Sequence, residues 1–345
     1  MASVSAKYAP GLLAQKLSDF RAGEIEQVTE SSIVEFTNNV MQVCDWMDEE
    51  HRDAFLTGLL SSLGSSYWSK QDVLDLFVNE EFGASHTVRI VHVQEDESSQ
   101  TTLVRLLRET SRGGFDETQG LDTSALLYVD DATYTGRALA RNLGHLADRI
   151  ELLPRTSRVL NVFHLLQYSA EIAPVVQSAV SRLAALGVTT EFRSAIDGDF
   201  EGALSWDFRI APSPEMVSRP NVQRFLKSST ALKSLAANLD EACKPDTHDG
   251  NDMLFDSDFE RRTVTRAFLD VGIKIRSMTP NWNATMRPLG YVREARLPSF
   301  GFGSMFCTFH NSANTSPLAL WWGNPEAGSH SALSKWKPLL PRRSQ

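Results

Sequence analysis

The sequence has little cysteine and no apolar run of membrane-spanning length. Its three cysteines, Cys44, Cys243 and Cys307, are odd in number and far apart in the chain. A disulfide framework of the kind found in small secreted proteins is therefore not expected. The first twenty residues also lack the basic segment and long apolar stretch of a secretory signal. We expect a cytoplasmic protein without a membrane partner.

Basic residues are also in short supply. The 345 residues include 34 lysines and arginines against 43 aspartates and glutamates, which gives a net charge of -9. This balance does not favour a broadly basic surface, so direct nucleic-acid binding is not expected. The chain exceeds the usual size of one domain, which predicts either one large domain with additions or two domains.

Hydrophobic periodicity divides the chain into three segments. Residues 1–84 are predicted to form an N-terminal helical region, because apolar residues recur there at helical intervals from about residue 28 onward. Residues 85–210 alternate β-branched runs with helical segments, which is typical of a mostly parallel α/β sheet. Residues 211–345 are predicted to form a C-terminal α+β extension, with helices near 221–243 and 258–274.

The central segment carries the clearest strand signals. Strands are predicted at 86–93, 126–129, 158–166 and 188–194, and helices at 101–110, 138–147 and 170–186. His92 and His164 fall within two of these strands and are expected to be core residues. The eight histidines show no paired spacing typical of metal ligands, so no histidine metal site is predicted.

The stretch SALLYVDDATYTGRALARNL, residues 124–143, runs an apolar strand into two acids and a turn of small residues. Ligands of open parallel sheets bind at the carboxyl ends of strands, where Asp130 and Asp131 are expected to lie. The turn from Ala132 to Gly136 leads into a helix whose first N–H groups lack internal acceptors, an arrangement suited to phosphate. Because carboxylates repel phosphate, we expect the acids to accept hydrogen bonds from sugar hydroxyls. Together these residues predict a site for a ribose 5-phosphate.

This stretch resembles the signature with which phosphoribosyltransferases bind phosphoribosyl diphosphate (PRPP): a hydrophobic strand, two acids, a short loop ending in Thr-Gly, and a helix. The resemblance implies that Asp130 and Asp131 are the acids of the catalytic site. It also implies a 5-phosphate loop made of Thr133, Tyr134, Thr135, Gly136 and Arg137. Ala132 and Thr133 depart from the larger aliphatic residues that are usual in the family, and Tyr134 stands where a small or acidic residue is common.

The same resemblance implies a pyrophosphate site in the loop after the first strand, Gln94 to Thr101. Ser98 and Ser99 are the candidates to hold the pyrophosphate through hydroxyl and backbone N–H groups. The acidic run at 95–97 opposes an anion unless Mg²⁺ intervenes, so a plain surface loop stays an alternative. Mg²⁺ is the expected cofactor, and PRPP the expected substrate, of a displacement at the anomeric carbon.

The two acids have two other possible interpretations. Asp130 and Asp131 could mark a solvated strand end with an aspartate capping the following helix. A phosphoacceptor receiver domain also carries paired acids, but it needs an aspartate at the end of a later strand and a lysine beyond it. The runs RVLNVFHLLQYS and VTTEFRS supply neither, so the receiver interpretation fails.

The C-terminal run HNSANTSPLALWW, residues 310–322, resembles the ending of phosphoribosyltransferase-like proteins from bacterial conflict and defence operons. The matching residues of this ending are Asn314, Thr315, Pro317, Trp321 and Trp322, whereas Ala313 departs from a paired asparagine. The resemblance implies a role in antiviral defence, with protein partners encoded in the same operon. The alternative to an enzyme is a non-catalytic sensor that binds PRPP or a nucleotide and regulates a partner.

Overall fold

The computed structural model describes residues 5–79, 88–94, 99–110, 115–116, 121, 123–197, 208–228, 232–239, 243, 254–279, 283–294 and 297–342. The chain packs as two compact units. One comprises residues 70–206, and the other combines residues 1–69 with residues 207–345. The predicted segments 1–84, 85–210 and 211–345 follow chain order, whereas packing puts the first and last parts of the chain into one unit.

The N-terminal segment is helical, in agreement with its periodicity. Its elements are α1 (Ala9–Lys16), α2 (Glu30–Val43), α3 (Glu49–Ser66), the short strand β1 (Tyr67–Trp68) and α4 (Lys70–Asn79). Thr29 and Ser32 form a capping box at the start of α2, and Asp48 caps α3 by accepting a hydrogen bond from the His51 N–H. Local capping chemistry thus fixes where these helices begin.

A parallel sheet forms the core of residues 70–206. Its strands are β2 (Val88–Ile90), β3 (Phe115–Asp116), β4 (Ala125–Thr133), β5 (Arg158–Gln167) and β6 (Val188–Asp197). They are arranged in the order β3-β2-β4-β5-β6, and all neighbours run parallel. The helices in this unit after α4 are α5 (Ser99–Thr110), α6 (Arg137–Glu151) and α7 (Ser169–Ala185). The predicted mostly parallel α/β core is confirmed.

β4 is the central strand, and it is longer than the sequence predicts. Its pairing with β5 continues past the predicted end at Val129, with Ala132 opposite Leu166 and Thr133 opposite Gln167. Asp130 and Asp131 therefore lie inside the strand near its carboxyl end. The ladder hydrogen bonds are made by the backbone, so two polar side chains do not end the strand.

Helices α6 and α7 cover one face of the sheet. Their apolar side chains pack with Leu126 and Tyr128 of β4 and with Leu160 and Val162 of β5 in one buried cluster. Residues two apart on a strand share a face, so Asp130 continues the row of Tyr128. His164 is the residue of β5 that pairs with Asp130. The apolar core therefore runs directly into a polar cluster at the carboxyl edge.

The direction of the chain across the sheet reverses at β2. From β2 the chain passes through α5 to β3 on one side, whereas β4 pairs with the other side of β2. In open α/β sheets such a reversal leaves a crevice outside the carboxyl ends of the two strands, and ligands bind there. Gln94 follows β2 and Asp130 lies near the end of β4, so both flank this point.

The C-terminal extension mixes helices with short strands, as predicted. Its elements are α8 (Pro214–Ser218), α9 (Pro220–Lys227), α10 (Lys233–Ala237), α11 (Asp258–Met278), β7 (Met286–Arg287), β8 (Gly290–Tyr291), β9 (Cys307–Thr308), β10 (Asn311–Ser312) and α12 (Leu318–Trp321). The helix predicted near 221–243 is interrupted, since α9 ends at Lys227 and α10 covers only five residues. In the described part of the chain, no helix combines the length and apolarity needed to cross a bilayer.

The C-terminal sequence motif packs within the extension. Pro317 precedes α12, and the Trp321 indole donates a hydrogen bond to the Ser316 carbonyl over 2.8 Å. The Asn314 carbonyl accepts from the Tyr291 N–H of β8 over 2.9 Å, and Trp322 is buried. The described contacts of the motif therefore join α12 to the β7–β8 hairpin.

Arg158 should be a large contributor to the stability of the sheet. Its side chain is 1% exposed and donates to the carbonyls of Leu121, Thr156 and Pro154 over 2.8–3.1 Å. Arg158→Met leaves these carbonyls without their donor, and we expect the free energy of unfolding to fall by about 2–4 kcal/mol in urea titrations. The control is Arg182→Met, which removes exposed ion pairs to Asp148 and Glu151 and should change stability far less. Equal losses of unfolding free energy in the two variants would show that the buried hydrogen bonds of Arg158 contribute no more than exposed ion pairs.

Candidate active site

The two acids of the motif are buried at the carboxyl end of β4. Asp130 is 8% exposed and Asp131 is 9% exposed. The Asp131 N–H donates to Asp130 Oδ1 over 2.9 Å, and the Ala132 N–H donates to Asp131 Oδ1 over 2.7 Å. The residue that caps α6 is Gly136, not an aspartate. The alternative of a solvated strand end with a capping aspartate is therefore wrong.

Asp130 is the centre of a hydrogen-bond network that joins three segments of the chain. Its Oδ1 accepts from the Ser99 hydroxyl at the start of α5 over 2.6 Å, in addition to the Asp131 N–H. Its Oδ2 accepts from the Tyr128 hydroxyl over 2.9 Å and from the Gln94 amide nitrogen. The carboxylate thus receives four donors, which is about the number of acceptor positions that a carboxylate has.

A second layer of hydrogen bonds holds these donors in place. The Tyr128 hydroxyl accepts from the side chains of Gln94 over 3.1 Å and Asn142 of α6 over 3.0 Å. Gln100 is fully buried; its side chain accepts from the N–H groups of Val93 and Gln94 and donates to the Val91 carbonyl. The end of β2 is therefore fixed against the start of α5.

Three members of this network are not predicted by the sequence: Gln94, Tyr128 and Asn142. Two sequence positions could have indicated membership. Tyr128 lies two residues before Asp130, on the same strand face, and Gln94 directly follows a predicted strand. The spacing of Asn142 from the acids carries no comparable signal, because its contact depends on how α6 packs.

Burial raises the pKa of Asp130 from 3.8 to about 7, and the negative charge of Asp131 adds to this effect. Hydrogen bonds from Ser99, Tyr128 and the Asp131 N–H act in the opposite direction, but they do not outweigh burial. Burial and the nearby Asp130 charge also raise the pKa of Tyr128 well above 10. Tyr128 therefore stays a neutral hydroxyl donor.

His164 is a core residue, as the sequence predicts, and it lies beside the acids. It is 1% exposed, and its ring centroid is 5.9 Å from that of Tyr128. Its Nδ1 makes no hydrogen bond within the described residues. Burial lowers the pKa of His164 to about 4, although the charge of Asp131 opposes this shift. The imidazole is therefore neutral at physiological pH.

The predicted loop between β4 and α6 begins with two buried residues. Thr133 still belongs to β4, and Tyr134 is buried with its ring stacked on Tyr168 at a centroid distance of 6.0 Å. Thr135 is half-buried and Arg137 is exposed at the first position of α6. Gly136 has no side chain with which to cap α6, so the N–H groups of the first turn receive no acceptor from the cap position. This is the part of the turn suited to a phosphate.

Gly136 is required by packing as well as by backbone conformation. Its φ is +69°, in the left-handed region that glycine adopts without strain. A Cβ at this position would lie 3.1 Å from the Ile172 Cα and 3.3 Å from the Val175 Cβ, both on α7. The glycine thus lets the start of α6 approach α7 closely.

The pyrophosphate candidates can be compared with the structure only in part. Ser98 lies outside the described residues, as do residues 95–97. Ser99 is the first residue of α5, so the helix begins two residues earlier than the predicted 101–110 segment. Its hydroxyl donates to Asp130. Ser99 therefore contacts one of the acids directly, which the sequence does not show, and its role at a pyrophosphate stays a prediction.

The two acids give only a partial ligand set for a divalent cation. Among the described residues, no group of three or more His, Cys, Asp or Glu side chains could hold a metal ion. Protein-bound Mg²⁺ often takes only one or two carboxylates and obtains its other ligands from substrate phosphates and water. The residues present fit that type of site, with Asp131 as the carboxylate that would contribute.

Replacing Gly136 should destabilise the fold through its contact with α7. We expect Gly136→Ala to lower the free energy of unfolding by about 1–3 kcal/mol, the usual cost of a strained left-handed residue. Gly144 is the matched control, because it lies within α6 and a Cβ there would meet nothing within 4 Å. Gly144→Ala should leave stability unchanged or raise it by about 0.5–1 kcal/mol. A stable Gly136→Ala variant would show that α7 does not require the glycine.

The raised pKa of Asp130 predicts a pH dependence of stability. Between about pH 4 and pH 7 the folded protein retains a proton on Asp130 that the unfolded chain has released, so its stability contribution falls as pH rises. The lowered pKa of His164 makes stability rise with pH between about pH 4 and pH 6.5. Because His164 is present in both the wild type and Asp130→Asn, its effect cancels in the comparison. The stability of the wild type minus that of Asp130→Asn should therefore decrease from about pH 5 to about pH 8 in urea titrations. An increase over this range would contradict the assigned shift.

Comparison with known proteins identifies the family. The profile of the PRTase-CE family, which is phosphoribosyltransferase-like, matches residues 44–342. Searches of curated proteins and of solved structures found no significant match. The matched range contains the whole parallel sheet, the two buried acids and the C-terminal motif. On this match, the chain belongs to the PRTase-CE family of phosphoribosyltransferase-like proteins.

Proposed function

We propose that this protein binds PRPP at the carboxyl edge of β4 and catalyses Mg²⁺-assisted transfer of its phosphoribosyl group, within a bacterial defence system. The observation that carries the proposal is the juxtaposition of Asp131 and the uncapped start of α6 at the switch point of the sheet. Membership of a phosphoribosyltransferase-like family supports it. The defence setting is the context implied by the resemblance of the 310–322 ending.

The residues of the turn and the acids have distinct roles in this proposal. The N–H groups at the start of α6, with Thr135 beside them, bind the 5-phosphate, and the helix dipole favours its negative charge. Asp131 accepts hydrogen bonds from the ribose hydroxyls. With both ends of the phosphoribosyl group held, the anomeric carbon is oriented toward an acceptor. Positioning and electrostatics of this kind need no protein nucleophile.

Displacement at the anomeric carbon breaks its bond to pyrophosphate and forms a bond to the acceptor. Bound Mg²⁺ would neutralise negative charge on the leaving pyrophosphate. The neutral His164 and Tyr128 keep the site from gaining further charge, since neither side chain ionises near neutral pH. Among the described residues, Asp131, Asp130 when ionised and the start of α6 therefore contribute to the electrostatics of this edge.

A non-catalytic sensor is the second candidate, and a specific observation favours it. Tyr134 is buried against Tyr168, and Asp130 is surrounded by donors from the protein itself. Both residues depart from the open loop and paired acids that the family signature implies for a catalytic site. A protein with this geometry could bind PRPP or a nucleotide and transmit binding to a partner without turnover.

Binding and turnover of PRPP separate the proposals. Calorimetry should show PRPP binding to the wild type, and Asp131→Asn should weaken it by about 1.5–3 kcal/mol, the range for hydrogen bonds to charged groups. Asp148→Asn is the matched control, because Asp148 is an exposed acid of α6. Release of pyrophosphate, followed by ³¹P NMR with Mg²⁺ present, would identify an enzyme. Binding without release would identify a sensor, and no PRPP binding would overturn both.

A further inference from the structure

The carboxylate of Asp130 is surrounded by donors from the protein itself. Both Asp130 oxygens accept hydrogen bonds: the donors Ser99 and Gln94 lie in other segments, and Tyr128 lies two residues earlier on β4. With the Asp131 N–H as the fourth donor, the acceptor positions of this carboxylate are filled. A sugar hydroxyl could bind Asp130 only by displacing one of these buried donors.

The donors to Asp130 also link the two strands that flank the switch point. Gln94 follows β2, and its amide donates both to Asp130 and to the Tyr128 hydroxyl of β4. The Gln100 side chain of α5 accepts a hydrogen bond from the Gln94 N–H and so fixes the backbone of Gln94. A change in the position of Gln94 or Ser99 would therefore displace the Asp130 side chain directly. Because Asp130 accepts a hydrogen bond from the Asp131 N–H, it would also displace Asp131.

We infer that the two acids have separate tasks: Asp130 is a positioning residue that ties the end of β2 and the start of α5 to β4, and Asp131 contacts the ligand. Gln94 is a second positioning residue, which acts through Asp130. This inference rests on the proposed binding of PRPP. It departs from the signature, in which the paired acids share the ribose.

The division of tasks has a consequence for pairs of substitutions. Gln94→Ala removes a donor to Asp130, and Asp130→Asn alters the acceptor, so both act on the same contact. The effects of two substitutions that remove the same contact do not add, whereas the effects of substitutions at independent sites do. Gln94→Ala should therefore add little to the effect of Asp130→Asn on PRPP binding, but its full effect should add to that of Asp131→Asn.

The test combines calorimetry with PRPP and hydrogen exchange on the full-length protein. We expect Asp131→Asn to weaken PRPP binding about tenfold or more while exchange at 88–94 and 99–110 stays as in the wild type. Asp130→Asn and Gln94→Ala should each weaken binding less than Asp131→Asn and should increase exchange in both segments. The double variant of Gln94 and Asp130 should match Asp130→Asn alone in both readouts.

Other outcomes would overturn the inference. Equal tenfold losses in Asp130→Asn and Asp131→Asn, with exchange unchanged in both, would mean that the acids share the ligand. Additive effects of Gln94→Ala and Asp130→Asn would mean that Gln94 does not act through Asp130. If the wild type fails to bind PRPP, the proposed function fails. The exchange data would then still show whether Asp130 and Gln94 hold β2 and α5, and unchanged exchange would refute that as well.

Discussion

The buried carboxylate of Asp130 is the interaction on which the geometry of this site depends. Burying a carboxyl group in a protein interior is costly unless donors surround it. Here the donors come from the end of β2, the start of α5 and β4 itself, so satisfying one charge fixes three segments. The raised pKa of Asp130 shows that these donors only partly compensate for burial and for the charge of Asp131.

The topology explains why this charge lies where it does. β2 has β3 on one side and β4 on the other, so the switch point of the sheet lies at the carboxyl ends of these strands. At this edge, side chains that follow β2 in the sequence connect β2 to β4. Gln94 and Ser99 make that connection by reaching Asp130. On the neighbouring side, Gly136 lets α6 begin close to α7 and leaves the N–H groups of its first turn without a capping side chain. The acids and the start of α6 are thus held by separate sets of contacts.

Local patterns in the sequence predicted much of this arrangement. The alternation of β-branched and helical segments gave the parallel core, and the run from Ala125 to Gly136 located the acids and the start of α6. The true end of β4 could not be predicted, because β4 continues to pair with β5 at and beyond the two acids. The roles of Gln94 and Asn142 depend on tertiary packing, and neither residue belongs to a motif that would identify it. The break between α9 and α10 likewise had no clear signal in the periodicity.

We propose that the carboxyl edge of β4 is a phosphoribosyl site with Asp131 as its ligand-facing acid. The most direct measurement is a crystal structure of the protein grown with PRPP and Mg²⁺. The account predicts that the 5-phosphate accepts hydrogen bonds from the backbone N–H groups at the start of α6, that the ribose hydroxyls donate to Asp131, and that Asp130 keeps its contacts with Gln94 and Ser99. PRPP bound away from β4, or a ribose held by Asp130 with those contacts broken, would contradict it.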